Sequence, residues 1–410
     1  MMAFGPQPAA AGVDREPGSL WALFLIFLRL GVGSFGGPIA HLGYFRDEFV
    51  TRRRWLGERS YGDLVALCQF LPGPASSQVG MALGLVRHGY RGAFVAWAGF
   101  TLPSALAMIL FAQGLSRHGA LLPAGALHGL KIVAVAVVAQ AVWGMARSLC
   151  LDVPRVTLMA LAACTVLARP GAGAQIGVLA AAGLIGLWLL RPEPVAAHEP
   201  LPLVRRRGAG VFWLALFFAL LIGLPILARL RPAPALAVVD VFFRAGALVF
   251  GGGHVVLPLL QAGVVPPGWV DGDTFLAGYG AAQAVPGPLF TFAAFLGASL
   301  KSGPSGWAGG LLCLAAIFMP SFLLVAGALP FWEALRRKAR VRAALAGINA
   351  AVVGVLLAAL YDPVWTSAIT APRDFALALV AGVALMSWKL PAWLVVFGSG
   401  IGAWLIDGRI

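Results

Sequence analysis

The chain has 410 residues, 60% of them hydrophobic and only 11% charged. A soluble core of this size cannot bury that much apolar surface, so the composition excludes an ordinary soluble enzyme and predicts an all-α, polytopic membrane protein. The net charge of +14 does not point to nucleic acid, because the basic residues gather in short loops between apolar runs, where cytoplasmic loops and anionic lipid account for them.

Met1 to Ser19 is a short polar lead that lacks the basic start and small-residue cleavage site of a signal peptide. Leu20 to Phe35 follows, apolar apart from Arg29, and ends in Gly33-Ser34-Phe35-Gly36-Gly37-Pro38. A basic loop with Arg52, Arg53, Arg54 and Arg59 leads to an apolar segment, Gly62 to Leu85, that carries Gln69-Phe70-Leu71-Pro72-Gly73-Pro74. A Pro-Gly-Pro triplet cannot continue a helix, since each ring removes a backbone donor and biases the residue before it away from the helical region. Broken backbone at membrane depth survives only when buried in protein or lining a wet cavity. Further apolar spans are expected at about 92 to 115, 124 to 147, 156 to 168 and 172 to 190. The polar stretch Arg191 to Gly210 marks a boundary, and Val211 to Ala228 is one extra span. Cys68, Cys150, Cys164 and Cys313 are scattered without metal-ligand spacing and read as small core residues.

The second half repeats the first. Arg29 with Phe35-Gly36-Gly37 matches Arg244 with Phe250-Gly251-Gly252 at an offset of 215 residues (244 − 29). Trp55 matches Trp269 and Gln69-to-Pro74 matches Gln283-Ala284-Val285-Pro286-Gly287-Pro288 at 214 (283 − 69), as do Gly89 and Gly92 with Gly303 and Gly306. Pro103-Ser104 matches Pro320-Ser321 at 217 (320 − 103). A slowly drifting offset is the mark of tandem duplication. The expected organisation is a lead at 1–19, a first repeat at 20–190, a linker and extra helix at 191–235, and a second repeat at 236–410. Basic loops alternate between the halves: Arg52 to Arg59 has a counterpart without Lys or Arg, whereas the single Arg117 faces a counterpart with Arg336, Arg337, Lys338, Arg340 and Arg342. That bias predicts halves inverted in the membrane, with discontinuous helices. The charge asymmetry is largest if the Gly-Gly and Pro-Gly-Pro segments are re-entrant hairpins rather than single crossings.

The wording Phe35-Gly36-Gly37-Pro38-Ile39-Ala40-His41-Leu42-Gly43-Tyr44-Phe45, then Gln69 to Pro74, with echoes at Phe250-Gly251-Gly252-Gly253-His254 and Gln283 to Pro288, resembles the chromate ion transporter family in its long, two-domain form. The resemblance implies a multi-pass inner-membrane exporter that lowers cytoplasmic chromate, with sulfate as the chemically related anion. Where the family pattern leads one to expect Asn soon after the first triplet, this chain has Ser76-Ser77-Gln78. The expected partners are chromate, sulfate as the alternative, and the bilayer, with a homo-oligomer as one arrangement the sequence allows. No cofactor, metal or nucleic acid is expected, and no phosphate loop, HExxH or GxSxG motif is present.

A tetrahedral dianion needs fixed positive charge and several hydrogen-bond donors. Arg29 and Arg244, inside apolar segments at one repeat position, are candidates for the charge; snorkelling, or pairing with an acid such as Asp240, is the alternative. Half-helices beginning after Pro74 and Pro288 would aim free backbone N–H groups at a cavity, with Gly36, Gly37, Gly73, Gly251, Gly252 and Gly287 allowing close approach; tight helix packing is the other reading of the glycines. Pro72 and Pro286 complete the breaks. Gln69, Gln283, Ser76 and Ser77 are candidate neutral donors, or glue between helices. Lys131 is a third intramembrane cation, replaced by Asn349 in the second half, that either lines the site or snorkels from a helix end. His41 and His254 read as interfacial residues, with pH sensing as the alternative, and Asp63 is an alternative proton carrier.

Overall fold

The computed structural model describes residues 19–118, 123–190 and 207–407, which are helical with no strand among them. The expected polar lead at 1–18 and most of the linker, at 191–206, lie outside the described residues. Six of the described helices are long and apolar enough to cross a membrane, and the protein is a multi-pass membrane protein.

Helix α1 (Leu20–Gly33) starts on Ser19, whose hydroxyl accepts the Ala22 N–H at 3.1 Å. It stops at Ser34 to Gly36, where Gly36 (φ 101°) and Gly37 (φ 77°) adopt left-handed backbone that a side chain disfavours. At about 1.5 Å per residue, 14 residues cannot span a hydrocarbon core of about 30 Å. Helix α2 (Gly37–Arg46), which widens into a π turn over Asp47–Arg52, comes back along α1. Phe45 and Phe49 pack on Phe27 with ring centroids 5.8 and 5.2 Å away. Helix α3 (Glu58–Phe70) and the first part of α4 (Ala75–His118) form a second hairpin around the first Pro-Gly-Pro. The Arg87 guanidinium lies 4.4 Å from the Trp55 ring, so the chain after the triplet has returned to the level from which α3 set out. At His88-Gly89 the backbone leaves helical values, and the second part of α4 runs on alone.

Then come α5 (Ala124–Leu149), α6 (Val153–Ala168), α7 (Ala172–Leu189) and the extra helix α8 (Arg207–Leu230). The second half repeats the pattern with α9 (Pro234–Ala247), α10 (Val256–Val264), α11 (Gly272–Ala282), α12 (Phe292–Ala298) and α13 (Gly306–Ala328). A Cβ on Gly263 would touch Val241, so α10 returns along α9. The Lys301 N–H donates to the Trp269 carbonyl at 3.0 Å, the repeat counterpart of the Arg87–Trp55 contact. Both Pro-Gly-Pro segments are therefore hairpins whose two ends lie on one side. The chain closes with α14 (Trp332–Arg337), α15 (Ala339–Ala359), α16 (Thr366–Ala368), α17 (Pro372–Met386) and α18 (Ala392–Asp407).

The halves are interlocked. Helix α5 packs on α17 and α18 of the second half, and α15 packs on α6 and α7 of the first. Close approach at these seams requires glycine: a Cβ on Gly129 would sit 2.4 Å from the Ser399 carbonyl, and one on Gly347 would sit 2.2 Å from the Ala182 carbonyl. Trp97 of α4 packs on Phe318 and Phe322 of α13, while Ile109 lies against Gly310, so these matching helices run antiparallel. The repeat register needs one correction. Gly84 clasps Gly92 and Gly297 clasps Gly309, so the counterpart of Gly92 is Gly309 and not Gly306; the spacing grows from 8 (92 − 84) to 12 (309 − 297), so four extra residues sit in the second loop.

The same physics sets a stability prediction. A Cβ on Gly246 of α9 would fall 2.0 Å from the Ile317 carbonyl of α13, whereas one on Gly223 of α8 would meet nothing within 4 Å. Gly246→Ala should destabilise the protein by about 1–3 kcal/mol and lower the melting temperature in detergent. Gly223→Ala should not lower it.

Candidate functional site

The four breaks meet in pairs across the two halves. The Gly73 N–H donates to the Val249 carbonyl at 2.7 Å, and the Gly287 N–H donates to the Ser34 carbonyl at 2.9 Å. Val249 and Ser34 occupy one repeat position, each just before a Phe-Gly-Gly run. Each Pro-Gly-Pro triplet thus hooks the Gly-Gly break of the opposite half. Two independent constraints require glycine at both hooks. Gly73 (φ 122°) and Gly287 (φ 98°) are left-handed, and an added Cβ would lie 2.6 Å from Ser321 Oγ at the first and 2.8 Å from Ser104 Oγ at the second. Ser104 and Ser321 are themselves repeat partners.

Around the hooks lies a buried polar seam. Among the described residues, Ser34 Oγ, Ser77 Oγ, Gln78 Oε1, Thr101 Oγ1 and Gln283 Nε2 are buried without a hydrogen-bond partner. The Gln78 amide donates to the Pro72 carbonyl at 2.7 Å and reaches Ser321 Oγ at 3.4 Å, and Ser104 Oγ donates to the Thr101 carbonyl at 3.1 Å. His41 lies between Ser76 Oγ (3.3 Å) and the Ser34 carbonyl (3.2 Å). A buried polar group with no partner costs about 1–3 kcal/mol, so several close to the breaks leave hydrogen-bonding capacity there that the described residues do not use. Hydroxyls are the adaptable part of it, because they rotate to donate.

The seam is one-sided. Ser34, Ser76, Ser77 and Gln78 of the first half correspond to Val249, Phe290, Thr291 and Phe292 of the second, and Thr291 Oγ1 is already bonded to the Pro288 carbonyl at 2.9 Å. The duplicated backbone therefore presents a hydroxyl-rich wall from one half and an aromatic wall from the other. In the second half His254 bonds Tyr279 instead, at 2.8 Å.

The residues singled out from sequence divide accordingly. Gly36, Gly37, Pro72, Gly73, Pro74, Gly251, Gly252, Pro286, Gly287 and Pro288 build the crossing, Ser76 joins it through His41, and Ser77 Oγ beside it and Gln283 Nε2 ahead of the second triplet are buried without a partner among the described residues. Gln69 is exposed at the end of α3. Arg29 is exposed on α1, opposite the face formed by Leu23, Phe27 and Gly31, which are buried. Arg244 is held by both carboxylate oxygens of Asp240, at 2.8 and 2.5 Å, whereas the repeat position of Asp240 in the first half is Leu25. Lys131 pairs with Asp273 at 2.9 Å, at the exposed start of α11, as expected of a lysine reaching out from near a helix end. His41 is not interfacial, being 1% exposed within the crossing.

Sequence reasoning missed Ser34, Thr101, Ser104 and Ser321 as site residues and read Gln78 only as part of a departure from pattern. The one available signal was the Pro103-Ser104 and Pro320-Ser321 repeat, which marks duplication without revealing what faces it. A cleft of about 420 Å³ between α4, α8 and α13 is lined mostly by apolar side chains such as Met81, Leu85, Phe94, Phe318 and Phe322, and carries no charged group. Among the described residues no group of three His, Cys, Asp or Glu side chains could hold a metal ion.

The family model for chromate transporters matches the chain twice, over residues 21–187 and 236–404. The chain is 29% identical to a chromate transport protein of Pseudomonas aeruginosa, over 95% of this chain and 93% of the relative. It is 27% identical to a chromate transport protein of Cupriavidus metallidurans, over 97% and 96% respectively, and 27% identical to a probable chromate transport protein of Synechococcus elongatus, over 91% of each. No solved structure matches it. With both of its duplicated halves matched, the chain belongs to the chromate transporter family.

Proposed function

We propose that the protein is a secondary transporter of the inner membrane that exports chromate from the cytoplasm and so confers chromate resistance, with the dianion held where the four breaks cross. The observation that carries this reading is the set of unpartnered buried hydroxyls of Ser34, Ser77 and Thr101 beside the hooked glycines. An oxyanion supplies the acceptors these donors lack, and the glycine breaks allow backbone to approach it. The relatives named as chromate transport proteins support the choice of anion.

The membrane potential is a sufficient driving force. Moving two negative charges out of a negative interior is favourable by about 4.6 kcal/mol per 100 mV, so export needs no nucleotide. The inverted arrangement of the halves is part of the proposal, with residues 52–59, 87–91 and 336–342 on the cytoplasmic side. The antiparallel run of α4 and α13 and the excess of arginine in those stretches support it. The roles of Arg29 and Arg244 are then to bias the local potential toward anions, with Asp240 setting the geometry of Arg244 in one half only.

Three outcomes test these statements. In everted vesicles loaded by imposed potential, radiolabelled chromate should accumulate, and Thr101→Val or Ser77→Ala should each cut flux about 10-fold, the loss of one hydrogen bond to an ion. Stronger competition by sulfate than by chromate itself would reassign the substrate. Arg244→Gln leaves Asp240 buried without its partner and should destabilise the protein by about 3–5 kcal/mol. The double variant Asp240→Asn with Arg244→Gln should recover the melting temperature but not flux; full recovery of both would remove Arg244 from the site. Reporters fused in the loops at 52–59 and 336–342 should both read as cytoplasmic, and opposite readings would overturn the inverted arrangement.

A further inference from the structure

His41 is a titratable side chain in the heart of the crossing, and its two ring nitrogens are both committed. Nε2 lies 3.2 Å from the Ser34 carbonyl, the same oxygen that accepts the Gly287 N–H from the other half. A carbonyl only accepts, so Nε2 carries the hydrogen of the neutral ring. Nδ1 is then a lone-pair acceptor, and the Ser76 hydroxyl 3.3 Å away donates to it. In that state the Ser76 hydrogen is turned toward the imidazole and is withheld from the seam formed with its neighbour Ser77.

We infer that His41 is a positioning residue that couples one proton to the anion site by setting which way the Ser76 hydroxyl points; this rests on the transport reading above. A proton taken from water onto Nδ1 converts that nitrogen from acceptor to donor. Ser76 Oγ must then accept, and its hydrogen swings away from the ring to join the donors facing the anion. The imidazolium charge adds to the same effect. Anion binding and His41 protonation therefore favour one another, and each shifts the other by the same factor. Release of the anion on the far side returns the hydroxyl to His41 and the proton to water, so one proton travels with each dianion and the net charge moved is one negative, with half the electrical drive of the bare dianion. The second half lacks the device, because Phe290 stands where Ser76 does and His254 bonds the Tyr279 hydroxyl instead.

Other titratable groups near this helix are engaged differently. On α2 itself, Arg46 binds Glu58 through both oxygens and Tyr44 is exposed. On the π turn, Glu48 is held by Arg52 and Arg53, beside Asp47. On α3, the Tyr61 hydroxyl donates to the Leu42 carbonyl at 2.7 Å, with Arg59, buried Asp63 and buried Cys68 on the same helix. On α4, Arg87 stacks on Trp55 beside His88, Tyr90 and Arg91, at the far end of its half-helix from Ser76. His41 meets Phe100 of α4 edge to face at 5.3 Å.

The test uses purified full-length protein and selenate, a chromate-shaped dianion that does not titrate over about pH 6 to 9. Affinity and proton uptake are measured together by calorimetry in buffers of different ionisation enthalpy. In the unsubstituted protein, affinity should fall about tenfold per pH unit above the His41 titration, with one proton taken up per anion. His41→Gln keeps a donor for the Ser34 carbonyl and an acceptor for Ser76, so it should bind weakly with no pH slope and no proton uptake. Ser76→Ala, which keeps His41 and its charge but removes the hydroxyl, should retain only a reduced slope and less than one proton taken up per anion. A full slope and full proton uptake in either variant would overturn the inference while leaving the transport reading in place. Absence of selenate and chromate binding to the unsubstituted protein at every pH would overturn both.

Discussion

Two backbone hydrogen bonds, Gly73 to Val249 and Gly287 to Ser34, hold the rest of the structure in place. A chain that breaks its helices at membrane depth exposes N–H and C=O groups where water is scarce, and each one left unmade costs several kcal/mol. Here the broken segment of each half supplies the partner for the other. Each triplet's glycine N–H takes its acceptor from the other half, so the crossing and the joint between halves are one object.

The glycine-lined seams extend that interdependence outward. Helix α5 reaches into the second half and α15 into the first, with Gly129 and Gly347 letting backbone touch backbone. Lipid tails are as apolar as leucine, so apolar burial gives little drive for helices to associate in a membrane, and this close packing takes its place. The exchange also means that movement of one half drags helices of the other.

Duplication provides the scaffold, and divergence provides the chemistry. The hooked glycines and the serines at 104 and 321 keep their twofold relation, yet the hydroxyl wall at Ser34, Ser76 and Ser77 faces Val249, Phe290 and Thr291 in the second half. A strictly symmetric site would offer the anion the same donors from both directions. Among the described residues the crossing carries Ser34, Ser76, Ser77 and His41 on one side, while His254 on the other is bonded to Tyr279. The charged residues follow the same rule: Asp240 clamps Arg244, while Leu25 leaves Arg29 without an equivalent partner on α1.

The sequence by itself determined the membrane class, the duplication and the four breaks, and it favoured re-entrant hairpins that the Arg87–Trp55 and Lys301–Trp269 contacts then decided. Each of these depends on local chemistry, whether apolar run length, the conformational limits of Pro and Gly, or the placement of arginine in loops. It also pointed to Ser76 and Ser77, because they adjoin a break. Only the tertiary structure decided that Pro-Gly-Pro of one half hooks Gly-Gly of the other, that Thr101, Ser104 and Ser321 line the crossing, and that His41 is central while Gln69 and Lys131 are not. Those relations join residues up to 243 positions apart, as in the Gln78–Ser321 contact, and no period or motif in a single chain encodes such a distance. They arise because the Gly73 and Gly287 N–H groups at the breaks must find acceptors, and they find them in the other half.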